Sequence, residues 1–148
     1  MKKSIYLILH NIRSVYNIGS IFRCADAFGI EKIFLTGISA YPPHRQMGKI
    51  AKTALGAEKT VPWEYFKNTT FLIKRFKKIG VRVVSLEIHS KATSLSRYKP
   101  KFPITVIFGN EITGIPKKIL KMSDDIIYIS QKGKKESLNV SAPIRAGI

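Results

Sequence analysis

Only one of the 148 residues, Cys24, is a cysteine, so an intramolecular disulfide is excluded and a thiolate-rich metal site has no ligands to draw on. Acidic residues are scarce as well, nine Asp and Glu against 26 Lys and Arg, for a formal net charge of +17. The three histidines, His10, His44 and His89, are scattered and stand at no spacing that suggests a catalytic triad. Long apolar runs are missing. Lys2-Lys3 followed by Ile5 to Leu9 imitates a signal peptide, but His10, Asn11 and Arg13 cut it short, and no later stretch has the length and apolarity of a membrane span. The chain also has no G-x-G-x-x-G, no Walker-A motif and no H-E-x-x-H, which removes support from dinucleotide, NTPase and zincin readings. The expectation is a cytoplasmic protein with no metal and no membrane partner.

What is present is a hydrophobic content of 45%, in a length suited to a single domain, 1–148, with a true core. The basic excess attracts polyanions and makes their binding salt-sensitive, but it selects no sequence. A solvated Lys-rich surface is the other reading of charge alone.

Hydrophobic period and punctuation alternate between strand and helix, the pattern of an α/β fold. Ser4 to Leu9 reads as a strand. Ile18 to Phe28 reads as a helix with Ile18, Ile21, Phe22, Ala25 and Phe28 on its apolar face and Gly29 as its stop. Lys32 to Thr36 is a second strand, followed by a Pro42-Pro43 loop and a weaker helix over Gln46 to Leu55. Val61 to Trp63 is a short extended piece, Tyr65 to Ile79 a helix closed by Gly80, and Val81 to Leu86 a buried strand. Ile104 to Phe108 is nearly all apolar and β-branched, as a central parallel strand covered on both faces should be. Pro116 suits the start of a short helix, Ile126 to Ile129 is a last strand, and the residues after Ser137 read as helical. Ligands of open α/β sheets bind beyond the carboxyl ends of strands, which directs attention to the Gly109-Asn110-Glu111 turn.

Three segments carry possible chemistry. Gly109 to Gly114, Gly-Asn-Glu-Ile-Thr-Gly, can bring main-chain groups close to a flat adenine, or it is an ordinary turn in which Glu111 caps the next helix. Ser130 to Glu136 sets Gly133 among lysines and delivers Ser137 and Asn139, where Ser137 alone could be an N-cap. Asn17-Ile18-Gly19 opens a helix on which Arg23 is either available to a ligand or paired with Asp26.

Together, in this order and spacing, the segments resemble the SpoU/TrmH branch of the SPOUT RNA methyltransferases. Asn17 to Arg23 through Phe28-Gly29 is similar to the family's first motif, Val106 to Glu111 through Gly114 to its second, and Ile129 to Ser141 to its third. The resemblance implies a Rossmann-like parallel sheet with helices on both faces, a carboxyl-terminal trefoil knot, and a homodimer with its active site at the subunit interface. It implies S-adenosylmethionine as cofactor, held around Leu86, Gly109, Ile129, Gln131 and Leu138, and a ribose 2'-hydroxyl of tRNA or rRNA as methyl acceptor. Arg23 corresponds to the catalytic arginine, with Asn17, Glu111, Ser137 and Asn139 shaping the site around it. RNA is expected on the Lys-rich surface that includes Lys74, Arg75, Lys77, Lys78, Lys117, Lys118 and Lys121.

Two departures stand out. Ile129-Ser130-Gln131 lacks the proline usual before the third-motif glycine, and Ala142-Pro143-Ile144-Arg145 interrupts what is normally an apolar helix. A shortened final helix would weaken the knot and the dimer face, so the alternative expectation is a catalytically impaired RNA-binding protein of the same fold.

Overall fold

A computed structural model describes residues 3–41 and 52–130. Seven strands form one sheet: β1 (Ile5–His10), β2 (Lys32–Thr36), β3 (Trp63–Phe66), β4 (Arg82–Leu86), β5 (Thr93–Ser94), β6 (Ile104–Phe108) and β7 (Asp125–Tyr128). The order is β3-β2-β1-β6-β4-β7-β5 and every pairing is parallel. Four helices are described in full, α1 (Val15–Phe28), α2 (Ala57–Thr60), α3 (Thr69–Lys78) and α4 (Lys117–Met122), and positions 52–54 are helical as well.

Alternation along the strands feeds two cores. Leu7, Leu9, Ile33, Leu35, Val106 and Phe108 point to one face, where Ile18, Ile21, Phe22 and Ala25 of α1 cover them. Ile8, Phe34, Val83 and Ile107 point to the other, beneath Leu72, Ile73 and Phe76 of α3 and Ile119 of α4. β6, with neighbours on both sides and helices on both faces, is buried at all five positions, which is why its sequence is a continuous apolar run rather than an alternating one.

The expected parallel α/β architecture is present, and Lys32–Thr36 and Ile104–Phe108 end where the sequence places them. Other boundaries move. α1 starts at Val15, not Ile18, because Ser14 is the N-cap: its hydroxyl accepts from the Asn17 N–H at 3.1 Å. Phe28, assigned to the apolar face, is 52% exposed, since it falls in the last turn just before Gly29, φ +69°, ends the helix. The helix expected from Tyr65 begins only at Thr69. Tyr65 and Phe66 belong to β3 instead, paired with Leu35 and Thr36, and Asn68 caps α3 by accepting from the Phe71 N–H at 3.1 Å. The short strand β5 has no counterpart in the sequence reading. Of the helix expected over Gln46 to Leu55, positions 46–51 lie outside the described residues, as do 131–148, which include Gln131, Ser137, Leu138 and Asn139 and the segment expected to form the knot.

At the amino edge, Arg82 donates to Asp125 through Nε at 2.7 Å and a terminal nitrogen at 3.2 Å, and the Tyr98 hydroxyl donates to the same carboxylate at 2.7 Å. The Arg82 hydrogen bond holds the Asp125 carboxyl below its ordinary value of 3.8. A depressed carboxyl stabilises the fold fully at pH above that value, and the contribution is lost as pH falls further, through the depressed folded-state pKa. Removal of this acceptor by Asp125→Ala is expected to cost about 1–3 kcal/mol at neutral pH, read by urea unfolding, with the gap from wild type closing at acid pH.

Candidate active site

Because all strands are parallel, the loops after β1, β2, β4, β6 and β7 leave from one edge. β1 and β6 are neighbours, yet their following helices go to opposite faces, α1 to one and α4 to the other. This is a topological switch point, the place where a crevice opens in an open α/β sheet.

Side chains bridge the two loops there. Asn110 Nδ2 donates to the Asn11 carbonyl at 2.8 Å, and the Arg13 N–H donates to the Glu111 carboxylate at 3.1 Å. Glu111 therefore does not cap the helix that follows it; α4 starts after Pro116 with no side-chain cap. Asn110 Oδ1 accepts from the Ile112 and Thr113 N–H groups, and the Gly114 N–H bonds back to the Asn110 carbonyl at 2.9 Å, closing the loop on itself. Glu87, just beyond β4, accepts from the Ile115 N–H at 2.7 Å and pins the far end. Ile112, at the tip, is 90% exposed.

The glycines of this loop are used for close approach. A Cβ on Gly109 would lie 2.6 Å from the Gly114 carbonyl carbon and 2.6 Å from Ile115 Cγ1. One on Gly114, where φ is +71°, would meet the Glu87 carboxylate.

Asn11 is the second anchor, and sequence reasoning missed it. It takes φ +54°, which Asn tolerates better than other side chains, and its Oδ1 accepts from the Ile38 N–H at 2.9 Å. Its Nδ2 meets His10 Nε2 at 3.2 Å, His10 Nδ1 meets Thr69 Oγ1 at 2.7 Å, and Thr69 donates onward to Thr36 at 2.7 Å. Thr69 has spent its proton on Thr36, so it must accept from Nδ1–H, which leaves Nε2 as acceptor for the Asn11 amide. That network requires a neutral imidazole, and burial of His10 pushes its pKa below 6.5 accordingly. A depressed histidine is a stabilising feature at pH above that value that fades as pH falls through the folded pKa. His10→Gln should flatten the mild-acid part of a melting-temperature profile relative to wild type, a change not produced by Asp125→Ala, whose window lies lower.

The residues singled out from sequence distribute as follows. Leu86, Gly109 and Ile129 lie at or just past the carboxyl ends of β4, β6 and β7, which are adjacent in the sheet, and all three are half-buried. Asn17 sits in the first turn of α1, near the same edge. Arg23 is exposed on α1, and the partner it could have had, Asp26, accepts instead from the Thr60 hydroxyl at 3.3 Å. Arg23 is nine residues past the N-cap, about 13 Å down the helix from the carboxyl edge, and some 120° around the axis from Asn17. Within one chain, α1 does not bring these two side chains to one point. Among the described residues no group of three or more His, Cys, Asp or Glu converges as metal ligands would, and no helix is long and apolar enough to cross a membrane.

Fold and site define a Rossmann-like parallel α/β protein with a tightly closed glycine loop at its switch point. The chain belongs to the SpoU rRNA Methylase family, whose model matches residues 4–144. It is 30% identical, over 98% of its own length and 62% of the relative's, to an uncharacterized tRNA/rRNA methyltransferase of Archaeoglobus fulgidus. It is 30% identical to the 23S rRNA (guanosine-2'-O-)-methyltransferase RlmB of Ralstonia nicotianae, over 91% of this chain and 53% of that one. The AdoMet-bound rRNA methyltransferase of Sinorhizobium meliloti superposes with a TM-score of 0.87 at 25% identity, covering 97% of this chain and 54% of that structure. The chain thus spans about half to three-fifths of the length of these relatives.

Proposed function

We propose that the chain transfers a methyl group from S-adenosylmethionine to a ribose 2'-hydroxyl of tRNA or rRNA. The observation that carries the reading is the placement of Leu86, Gly109 and Ile129 side by side at the carboxyl ends of β4, β6 and β7, next to the β1–β6 switch point, with the Gly109 loop tied to the loop that starts the Arg23 helix. These groups fit the cofactor, since half-buried apolar side chains and a close glycine backbone suit an adenosine and no phosphate-binding glycine motif is present. Leu86, Gly109 and Ile129 would hold it, with Gln131 and Leu138 assigned by the family pattern. When bound, S-adenosylmethionine would supply an electrophilic sulfonium methyl for an in-line displacement, in which a C–O bond to the ribose would form as the C–S bond breaks, with the hydroxyl proton released to water.

The protein's contribution is positioning. Glu111 and Asn110 set the crevice wall against the start of α1. Arg23, whose planar guanidinium presents a two-pronged set of donors, clamps a phosphate next to the target ribose and orients its hydroxyl; the family pattern assigns Asn17, Ser137 and Asn139 to the polar residues around it. The set-back of Arg23 along α1 favours a site shared between two copies, in which one chain's Arg23 faces its partner's crevice. A homodimer follows from this reading.

Calorimetry with S-adenosylmethionine is the direct test. Binding is expected with little dependence on salt, whereas RNA binding should weaken steeply as salt rises. A folded protein that takes RNA but no cofactor would sink the enzyme reading and leave an RNA-binding protein of the same fold.

A further inference from the structure

Among the described residues the positive charge is unevenly placed. α3 and α4 carry four and three Lys or Arg, respectively, and no acidic residue. On the opposite face, α1 and α2 each carry one basic and one acidic residue, and the helical stretch 52–54 adds Lys52. Lys77 pairs with Asp124 at 3.7 Å, and the Arg75 guanidinium lies 5.6 Å from the Phe66 ring centroid. Phe71, Lys74, Arg75 and Lys78 fall at i, i+3, i+4 and i+7, a single outward stripe opposite buried Leu72, Ile73 and Phe76. Lys117, Lys118 and Lys121 are exposed on α4, which packs on the same sheet face.

This face is not the one that carries Arg23. With layers spaced about 10 Å apart, the helices above and below the sheet lie roughly 20 Å from each other, so no single nucleotide touches both. We propose that the outward face of α3 and α4 docks the phosphate backbone of a double-helical segment of the substrate RNA, distinct from the nucleotide presented to Arg23. The proposal rests on the methyltransferase reading above and narrows its substrate to a folded RNA. A duplex is favoured over a single strand by the chemistry of the stripe: it offers cations, which suit regularly spaced phosphates, but only Phe71 as an exposed ring, and single-strand binding relies on successive aromatic platforms.

The test uses the full chain and a variant combining Lys74→Gln, Lys78→Gln, Lys117→Gln, Lys118→Gln and Lys121→Gln. Arg75 is left in place because it packs on Phe66. Affinity is measured for a 20-base-pair RNA duplex, an oligouridine with the same number of phosphates, and phosphatidylglycerol vesicles, with S-adenosylmethionine binding followed by calorimetry. The variant is expected to lose at least about tenfold in duplex affinity and to show a shallower salt slope, with a smaller loss on oligouridine and unchanged cofactor affinity. Unchanged duplex affinity, an equal loss on oligouridine, or a larger loss on vesicles than on duplex overturns the proposal. Loss of cofactor binding by the unmodified chain, with duplex binding intact, would overturn the enzyme reading and not this docking face.

Discussion

Replacement of Arg23 by Ala is expected to lower the single-turnover rate of methyl transfer by about 100- to 1,000-fold while leaving the dissociation constant for S-adenosylmethionine unchanged. The size follows from what the residue does: a charged, planar clamp that fixes the reacting oxygen in line is worth several kcal/mol in the transition state. The separation of the two readouts follows from its place. Arg23 is exposed near the middle of α1, away from the Gly109 loop, so truncation leaves the crevice wall intact. Arg23→Lys discriminates between roles. A point charge without the two-pronged geometry should remain at least about tenfold impaired, and a near-normal rate for Lys would count against the clamp.

Gly109→Ala should have the opposite signature, raising the cofactor dissociation constant by about 100-fold, equivalent to roughly 2.7 kcal/mol. Its added methyl would press on the Gly114 carbonyl carbon at 2.6 Å, and backbone cannot swing aside. The loop must open instead, pulling against the Gly114 to Asn110 hydrogen bond. Gly114→Ala should act through a different route, the strain of a side chain at φ +71° and displacement of the Glu87 carboxylate that holds the Ile115 N–H. If each crevice is completed by the partner's Arg23, mixing the Arg23→Ala and Gly109→Ala proteins and allowing subunits to exchange should restore about one quarter of wild-type activity, since random pairing leaves one intact composite site in each mixed dimer. Mixtures that stay inactive would place Arg23 and Gly109 of the same chain in one site.

The strands that could be read from sequence to the residue were those whose environment is uniform. Ile104–Phe108 and Lys32–Thr36 are enclosed strands, each followed directly by a glycine, so composition and boundary agree. Tyr65 and Phe66 were misassigned because their apolar side chains merge without a break into the Phe71, Leu72, Ile73 and Phe76 pattern, and the Asn68 cap between them was passed over. β5 has two residues and no periodicity to detect. In the site, the glycines and Glu111 were visible because their types are unusual after a buried strand. The roles of Asn11 and Glu87 were not, since each depends on a partner contributed by a distant segment: Ile38 for one, Ile115 for the other. Ser14 followed by a helix was the local signal available for the true start of α1.

The bridge from Asn110 to Asn11 joins residues 99 positions apart, and its strands, β6 and β1, lie side by side at the centre of the sheet. Until β6 has left the ribosome, β1 has a neighbour on one side only and shows an apolar, unpaired edge on the other. The amino-terminal half therefore cannot mature ahead of the rest. Assembly waits on a long-range pairing and is slow by comparison with locally wired folds, and a nascent chain stalled before residue 104 carries an open edge suited to aggregation. The same central pairing that creates the crevice makes completion of translation a condition for having one.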